Sequence, residues 1–185
     1  MIGAFAIPAI VQRIAILESF GSFIWLCATT ANSIAPMLDP ETESAMRARF
    51  EDADFARWMG LELVSLGDGT SEIRLKLEPH HLNPGRIVHG GVVAGMLDVA
   101  AGLAHRTKLG PDATHVTVQL HINYLKAAGS GVVIARGLSL QTGRRVGHAE
   151  ATLLDEEERV LARASATFLI VRPGSVMRER TGDDA

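Results

Sequence analysis

The sequence predicts an α+β domain in which a curved antiparallel sheet wraps around one long central helix. Two observations lead there. Six short runs read as strands, and the run "GGVVAGMLDVAAGLAH" that starts at Gly90 reads as a helix apolar on every side except at Asp98. A helix of that kind must be covered on most sides. Its small residues (Gly90, Gly91, Ala94, Gly95, Ala100, Ala101 and Gly102) permit close approach of backbone. A sheet folded around it satisfies both demands. The length of 185 residues suits one domain, and 47% apolar with 21% charged residues is the composition of a folded chain.

Taken in order, residues 1–38 form an apolar extension whose only charges are Arg13 and Glu18. Three readings of it stand open. It is a helical extension packing on the domain, an over-long start that properly begins at Met37 or Met46, or, less favoured, a membrane anchor or export signal. A secretory signal wants a positive n-region, and nothing before Arg13 supplies one. The uncharged run 19–38 is long enough for a span, but "TTANS" and Pro36 weaken it. The domain proper is expected over 39–172. Asp39 as N-cap, Pro40 at the first helical position and acids in the first turn start a helix. Phe50, Phe55, Trp58 and Met59 are expected as its apolar anchors, with Gly60 ending it.

"LELVSL", a Gly67-Asp68-Gly69 turn and "SEIRLKLE" predict a hairpin, since Ile73, Leu75 and Leu77 alternate with charged residues. After the central helix, "HVTVQLHINYL" predicts a strand with Val116, Val118, Leu120, Ile122 and Tyr124 on one face. "GVVIARGLSL", "RRVGHAEATLL" and "RVLARASATFLIV" follow after short turns, and the four together predict an antiparallel meander. The polar stretch 173–185 reads as a tail.

Several functions are excluded by composition. A net charge of −3 and a pI near 6.2 leave no basic footprint for nucleic acid. One cysteine, Cys27, allows no intramolecular disulfide and no cysteine zinc site, and a reducing cytoplasm is the simple reading. No metal is expected from the seven histidines. His80, His81 and His89 lack the helical i,i+4 pairing of a zinc protease, and His115 and His121 stand six apart on a strand as surface or tunnel residues.

Asp98 then stands out. A buried carboxylate without a partner costs several kcal/mol, so it is either satisfied by a buried backbone group or a side chain such as Tyr124, or it has a chemical task. Asn83-Pro84-Gly85 is a good turn in its own right, and a glycine pair such as Gly90-Gly91 serves turns and close packing equally well.

The spacing of Asn83, Gly85, His89-Gly90-Gly91 and Asp98 resembles the motif of the hotdog-fold thioesterases of the phenylacetate-pathway, PaaI-like type. The similarity runs over roughly residues 55–171, and "VTVQLHINYLKAA" and "GRRV" look like that family's later strands. The resemblance implies hydrolysis of an acyl-CoA to free acid and coenzyme A with no cofactor beyond the substrate itself. It implies active sites at a homodimer interface, with a homotetramer favoured. It implies that the Gly90 backbone N–H binds the developing oxyanion, that Asn83 helps hold the thioester and that Asp98 serves as general base or nucleophile. Thr117 falls where relatives carry Ser or Thr near the acid.

The residues support that chemistry. Amides of Gly90 and Gly91 at a helix start are donors without intrahelical partners, and glycine lets a carbonyl approach them. His89 reads as a loop-positioning residue. At about 100° per residue Asp98 points roughly half a turn away from His89 and about 13 Å along the axis, so a twofold partner is needed to bring acid and amides together. Val92, Met96, Val99 and Leu103 are candidates for the acyl pocket, with Gly91 at its mouth. Arg144 and Arg145 are candidates for the phosphates of coenzyme A, with Lys126 behind them. Two other readings remain. A non-catalytic acyl-CoA sensor would keep the tunnel without the reaction. A hotdog dehydratase or hydratase wants a histidine five residues after the acid, where this chain has Leu103.

Overall fold

The computed structural model describes residues 38–173. The readings of residues 1–37, including Cys27, a start at Met37 and the anchor, and of the tail beyond 173 fall outside those described, whereas Met46 lies within them and is buried. Asp39 caps helix α1 (Pro40–Glu51) by accepting the Thr42 amide at 2.9 Å. The helix breaks at Asp52–Ala53 and resumes as α2 (Asp54–Met59). Gly60 ends α2 in the left-handed conformation, φ 69°, which glycine adopts without strain. Phe50 and Met59 are buried as expected, but Trp58 is 75% exposed and Phe55 47%, because the short α2 turns that edge outward.

The sheet has six strands: β1 (Glu62–Gly67), β2 (Thr70–Lys76), β3 (Thr114–Tyr124), β4 (Val132–Thr142), β5 (Val146–Asp155) and β6 (Val160–Val171). Their spatial order is β1-β2-β4-β5-β6-β3, antiparallel throughout. The expected four-strand meander is therefore only partly right. β4, β5 and β6 meander, but β3 pairs with β6, and β2 takes the place beside β4. Residues 125–131 cross the strand ends, pinned where the Leu125 and Lys126 amides donate to Leu161 O and the Gly131 carbonyl accepts from Leu77. Seven residues reach over 20 Å when extended, enough to pass two strands at about 4.8 Å spacing.

Helix α3 (Gly90–Arg106) fills the concave side. Val93, Met96, Leu97, Ala100, Ala101 and Ala104 face the sheet and are buried. Across from them stand Ile73, Leu75, Val133 and Leu153, with a row of alanines on β5 and β6. Small side chains there let the sheet curl closely around the helix. Backbone meets backbone closely at Gly137, where a β-carbon would collide with the Ala100 carbonyl oxygen, which also accepts from Ser71 Oγ at 2.7 Å. Met96 is wholly buried in this core. Its phase on the helix points it at the sheet, so the structure assigns it to packing and not to an acyl pocket.

β3 departs from its expected alternation. A register shift between Thr117 and Gln119 changes the phase within the strand. His115 is half-buried and Thr117 reaches α3, Leu120 and Ile122 pack against the core, and Val116 and Val118 are exposed.

Candidate active site

Two cavities hold the sequence-predicted residues, and they are separate. The first, of about 470 Å³, lies between α1, α2, α3 and β3 and contains Asp98, Val99, Leu103 and Thr117. The second, of about 360 Å³, contains Asn83, Gly90 and Lys126. Gly90 and Asp98 are eight residues apart on one helix, about 12 Å along its axis. Within one chain the structure does not bring them together.

Asp98 is half-buried on the α3 face that the sheet leaves uncovered. Its Oδ1 accepts from Thr117 Oγ1 at 2.9 Å. Its partner is thus Thr117 and not Tyr124, whose hydroxyl instead donates to the Gly90 carbonyl at 3.1 Å. The threonine holds one carboxylate oxygen and leaves the other toward the cleft. Around it the wall is mainly apolar, formed by Val99, Leu103, Phe50, Phe55 and Phe168.

The Gly90 end is built from backbone. His89 is the N-cap of α3, extended at φ −65° and ψ 137°, and its Nδ1 accepts from the Gly91 amide at 2.9 Å. This satisfies one of the two amides that the sequence offers as donors. Gly90 N–H has no partner among the described residues. One free donor, at the positive end of a 17-residue helix, is what remains for a ligand. His89 accordingly positions the turn. Gly91 is exposed with its amide occupied, and Val92 is half-buried and lines neither cavity.

The loop before the helix is held by side chains. Asn83 Oδ1 accepts from the amides of Gly85 (2.8 Å) and Ile87 (3.4 Å), so its amide NH₂ is the group left for a substrate. The Asn83 amide donates to Ile87 O, and Val88 N–H reaches Ala128 O. His81, nearly wholly buried, ties this loop to α2. Its Nδ1 accepts from Glu78 N–H at 3.0 Å, which puts its proton on Nε2, where it donates to Met59 O at 3.1 Å. Burial, with His80 beside it, lowers the His81 pKa and keeps it neutral. The His81 carbonyl in turn accepts from His89 N–H at 2.8 Å. Sequence reading missed this link, since nothing in "EPHH" separates a buried histidine from its exposed neighbour.

Arg144 and Arg145 lie in the β4–β5 turn, at the sheet end where Thr114 pairs with Val171, opposite to Tyr124 and Gly90. They line neither cavity, and Lys126 is the cation beside Asn83 and Gly90. Among the described residues no three His, Cys, Asp or Glu side chains converge as a metal would require. No helix among them is long and apolar enough to cross a membrane.

A sheet curled around one helix, with an acid on that helix's open face and a free amide at its start, is the frame of a hotdog-fold thioester hydrolase. The thioesterase superfamily profile matches residues 85–162, from the Asn83 loop into β6. The medium/long-chain acyl-CoA thioesterase YigI of Escherichia coli is 30% identical over 131 residues, covering 63% of this chain and 84% of that one. A conserved protein of Pseudomonas aeruginosa of known structure is 33% identical, with a TM-score of 0.64, covering 66% of this chain and 98% of the other. The PaaI protein of the E. coli phenylacetic acid degradation operon shares the fold with a TM-score of 0.67 at 16% identity, covering 72% and 96%. This chain belongs to the thioesterase superfamily.

Proposed function

We propose that the protein hydrolyses an acyl-CoA to free acid and coenzyme A, at sites where Asp98 of one protomer faces the Gly90 amide of a twofold partner. The observation that carries this reading is the separation itself. The acid and the free donor open into different cavities of one chain, yet each is incomplete alone. Support for the interface comes from β3, an 11-residue edge strand with Val116 and Val118 exposed. Long apolar edges are normally paired or covered. Two β3 edges meeting antiparallel would set the two α3 helices side by side in opposite senses. Exposed Leu138 and Leu140 on β4 offer a further apolar surface for pairing dimers into a tetramer.

In this reading the free Asp98 oxygen takes a proton from water as the water oxygen attacks the thioester carbon. Gly90 N–H, with Asn83 NH₂, receives the oxyanion. Collapse expels the thiolate of coenzyme A, which recovers the proton. In this reading no cofactor takes part, and an acyl-CoA substrate suits a cytoplasmic enzyme. Lys126 beside Asn83 suits a phosphate of the incoming coenzyme A better than Arg144 or Arg145.

The test is complementation between inactive variants. Asp98→Ala and Gly90→Pro subunits, each inactive alone in thiol release from acyl-CoAs, are unfolded together and refolded as a mixture. Shared sites restore roughly a quarter of wild-type turnover, because half of the dimers are mixed and each has one intact site. No recovery despite mixed dimers would overturn the shared site. Undiminished turnover by Asp98→Ala alone would remove the acid from the reaction.

A further inference from the structure

The Asp98 cleft continues past the acid, and its far end is cationic. Asp98, Gly102 and Arg106 follow one another at i, i+4 and i+8 along α3, and all three line the cleft. Among the described residues Asp98 is the sole acid in that lining, against Arg49 from α1, Arg106 from α3 and His115 from β3. Arg49 has no hydrogen bond or ion pair among the described residues. Among the described residues Arg106 donates only to the carbonyls of Leu109, Gly110 and Pro111, at 3.2 to 3.4 Å, and meets no carboxylate. The two guanidiniums lie close enough that Arg49, after burial, lowers the Arg106 pKa. Unpaired like charges at one end of an otherwise apolar cleft are unfavourable without an anion between them.

His115 adds a donor there. His105 is wholly buried, and its Nε2 packs on Gly147 with no partner among the described residues. Orphaned buried N–H groups are rarer than under-used acceptors, so the His105 proton is assigned to Nδ1. It then donates to His115 Nδ1 at 3.3 Å. His115 is left with its proton on Nε2, which faces the helix at Gly102, itself part of the cleft wall. Among the described residues the far end thus presents the donors Arg49, Arg106 and His115 and no carboxylate.

Building on the thioesterase reading, we infer that the acyl group carries an anion at its far end, a carboxylate, so that ω-carboxyacyl-CoA esters are favoured substrates. With the thioester carbonyl at Asp98, an acyl chain of medium length reaches Arg106, about 12 Å along the helix. Hydrolysis then releases a dicarboxylate and coenzyme A.

The full chain is assayed with octanoyl-CoA and suberyl-CoA, and with the N-acetylcysteamine thioesters of the same two acids, which lack phosphates. Expected is a kcat/KM preference of at least about tenfold for the ω-carboxylate in both series. That ratio falls toward one in Arg49→Leu and below one in Arg49→Glu. Among the described residues Arg49 holds nothing by hydrogen bond or ion pair, so these variants stay folded, and Arg106→Lys is a second, milder probe. Cleavage of both esters at equal rates overturns the inference and leaves the thioesterase reading standing. A loss in Arg49→Leu that is equal for both CoA esters and absent from both short thioesters assigns the arginines to coenzyme A phosphates, and also overturns it. Failure to cleave any ester overturns the thioesterase reading and this inference with it.

Discussion

In the proposed site the groups around Asp98 are side chains, whereas around Gly90 they are backbone. The first half depends on a carboxylate oriented by one hydroxyl, at 2.9 Å, on a helix face that the sheet leaves open. The second depends on the shape of a turn, fixed by His89 on the Gly91 amide, Asn83 on Gly85, and His81 reaching back to α2. A side-chain half fails by loss of a functional group. A backbone half fails only if the amide itself is removed or the turn is allowed to move. The two therefore answer differently to the same kind of substitution, and that difference can be measured.

The largest effect belongs to the acid. Asp98→Asn keeps the size of the side chain and an acceptor for Thr117, yet cannot take a proton. Its kcat should fall by about 10²–10⁴, with the melting temperature held or raised because a half-buried charge is gone. A rise in KM with kcat unchanged would show that Asp98 binds and does not act on water. At the other half Gly90→Pro is the matching change. Gly90 occupies the first helical position, where proline is well tolerated, and His89 already has the extended backbone that precedes proline. A β-carbon there meets Tyr124 at ordinary distances, 3.6 Å or more. The substitution thus deletes the amide and keeps the helix start. It should lower kcat about 10²–10³-fold, with little change in stability. Were Gly90→Pro fully active, the free amide would not be the oxyanion donor.

Thr117→Val is a smaller blow. It removes the hydroxyl bonded to Asp98 and nothing else of size, and should cost about tenfold in kcat, a single charge-assisted hydrogen bond's worth. Thr117→Ser should restore most of it. If valine and serine behave alike, Thr117 only fills space.

How much of this was legible in the sequence follows from where the information sits. The central helix and its acid were plain, because one carboxylate in a run of apolar and small residues has few explanations. The N-cap at Asp39 and the stop at Gly60 were plain for local reasons. Strand partners were not, since alternation reports two faces but names no neighbour, so β3 beside β6 was invisible. The bulge at Thr117–Gln119 put Val116 and Val118 outside against the simple pattern. Met96 looked like a pocket residue because helix phase relative to the sheet cannot be read from a helix apolar all round. The cationic end of the cleft was illegible for a different reason: Arg49, Arg106 and His115 come from three elements, and Arg49 on α1 is far in the chain from the other two. The acid itself was thus found by composition, and its surroundings only by assembly.

The smallest effect separates the halves by pH. Burial, then His105, Arg106 and Arg49, pushes the His115 pKa down to about 4, and burial followed by His148 lowers that of His105. In the unfolded chain such groups titrate near 6.5. Between about 6.5 and about 4 the unfolded chain binds more protons than the folded one, so stability falls as pH drops through that window and is fully present above it. Melting temperature should decline by a few degrees, roughly 2–6 °C, from pH 7.5 to pH 4.5. His81, neutral in the loop before Gly90, titrates with the same sign and adds to the same decline. His115→Gln removes the cleft's share only. If that variant loses as many degrees as the wild type, the decline comes from His81 and His105 and not from the cleft wall behind Asp98. A decline reduced by more than half would place the weaker point in the side-chain half.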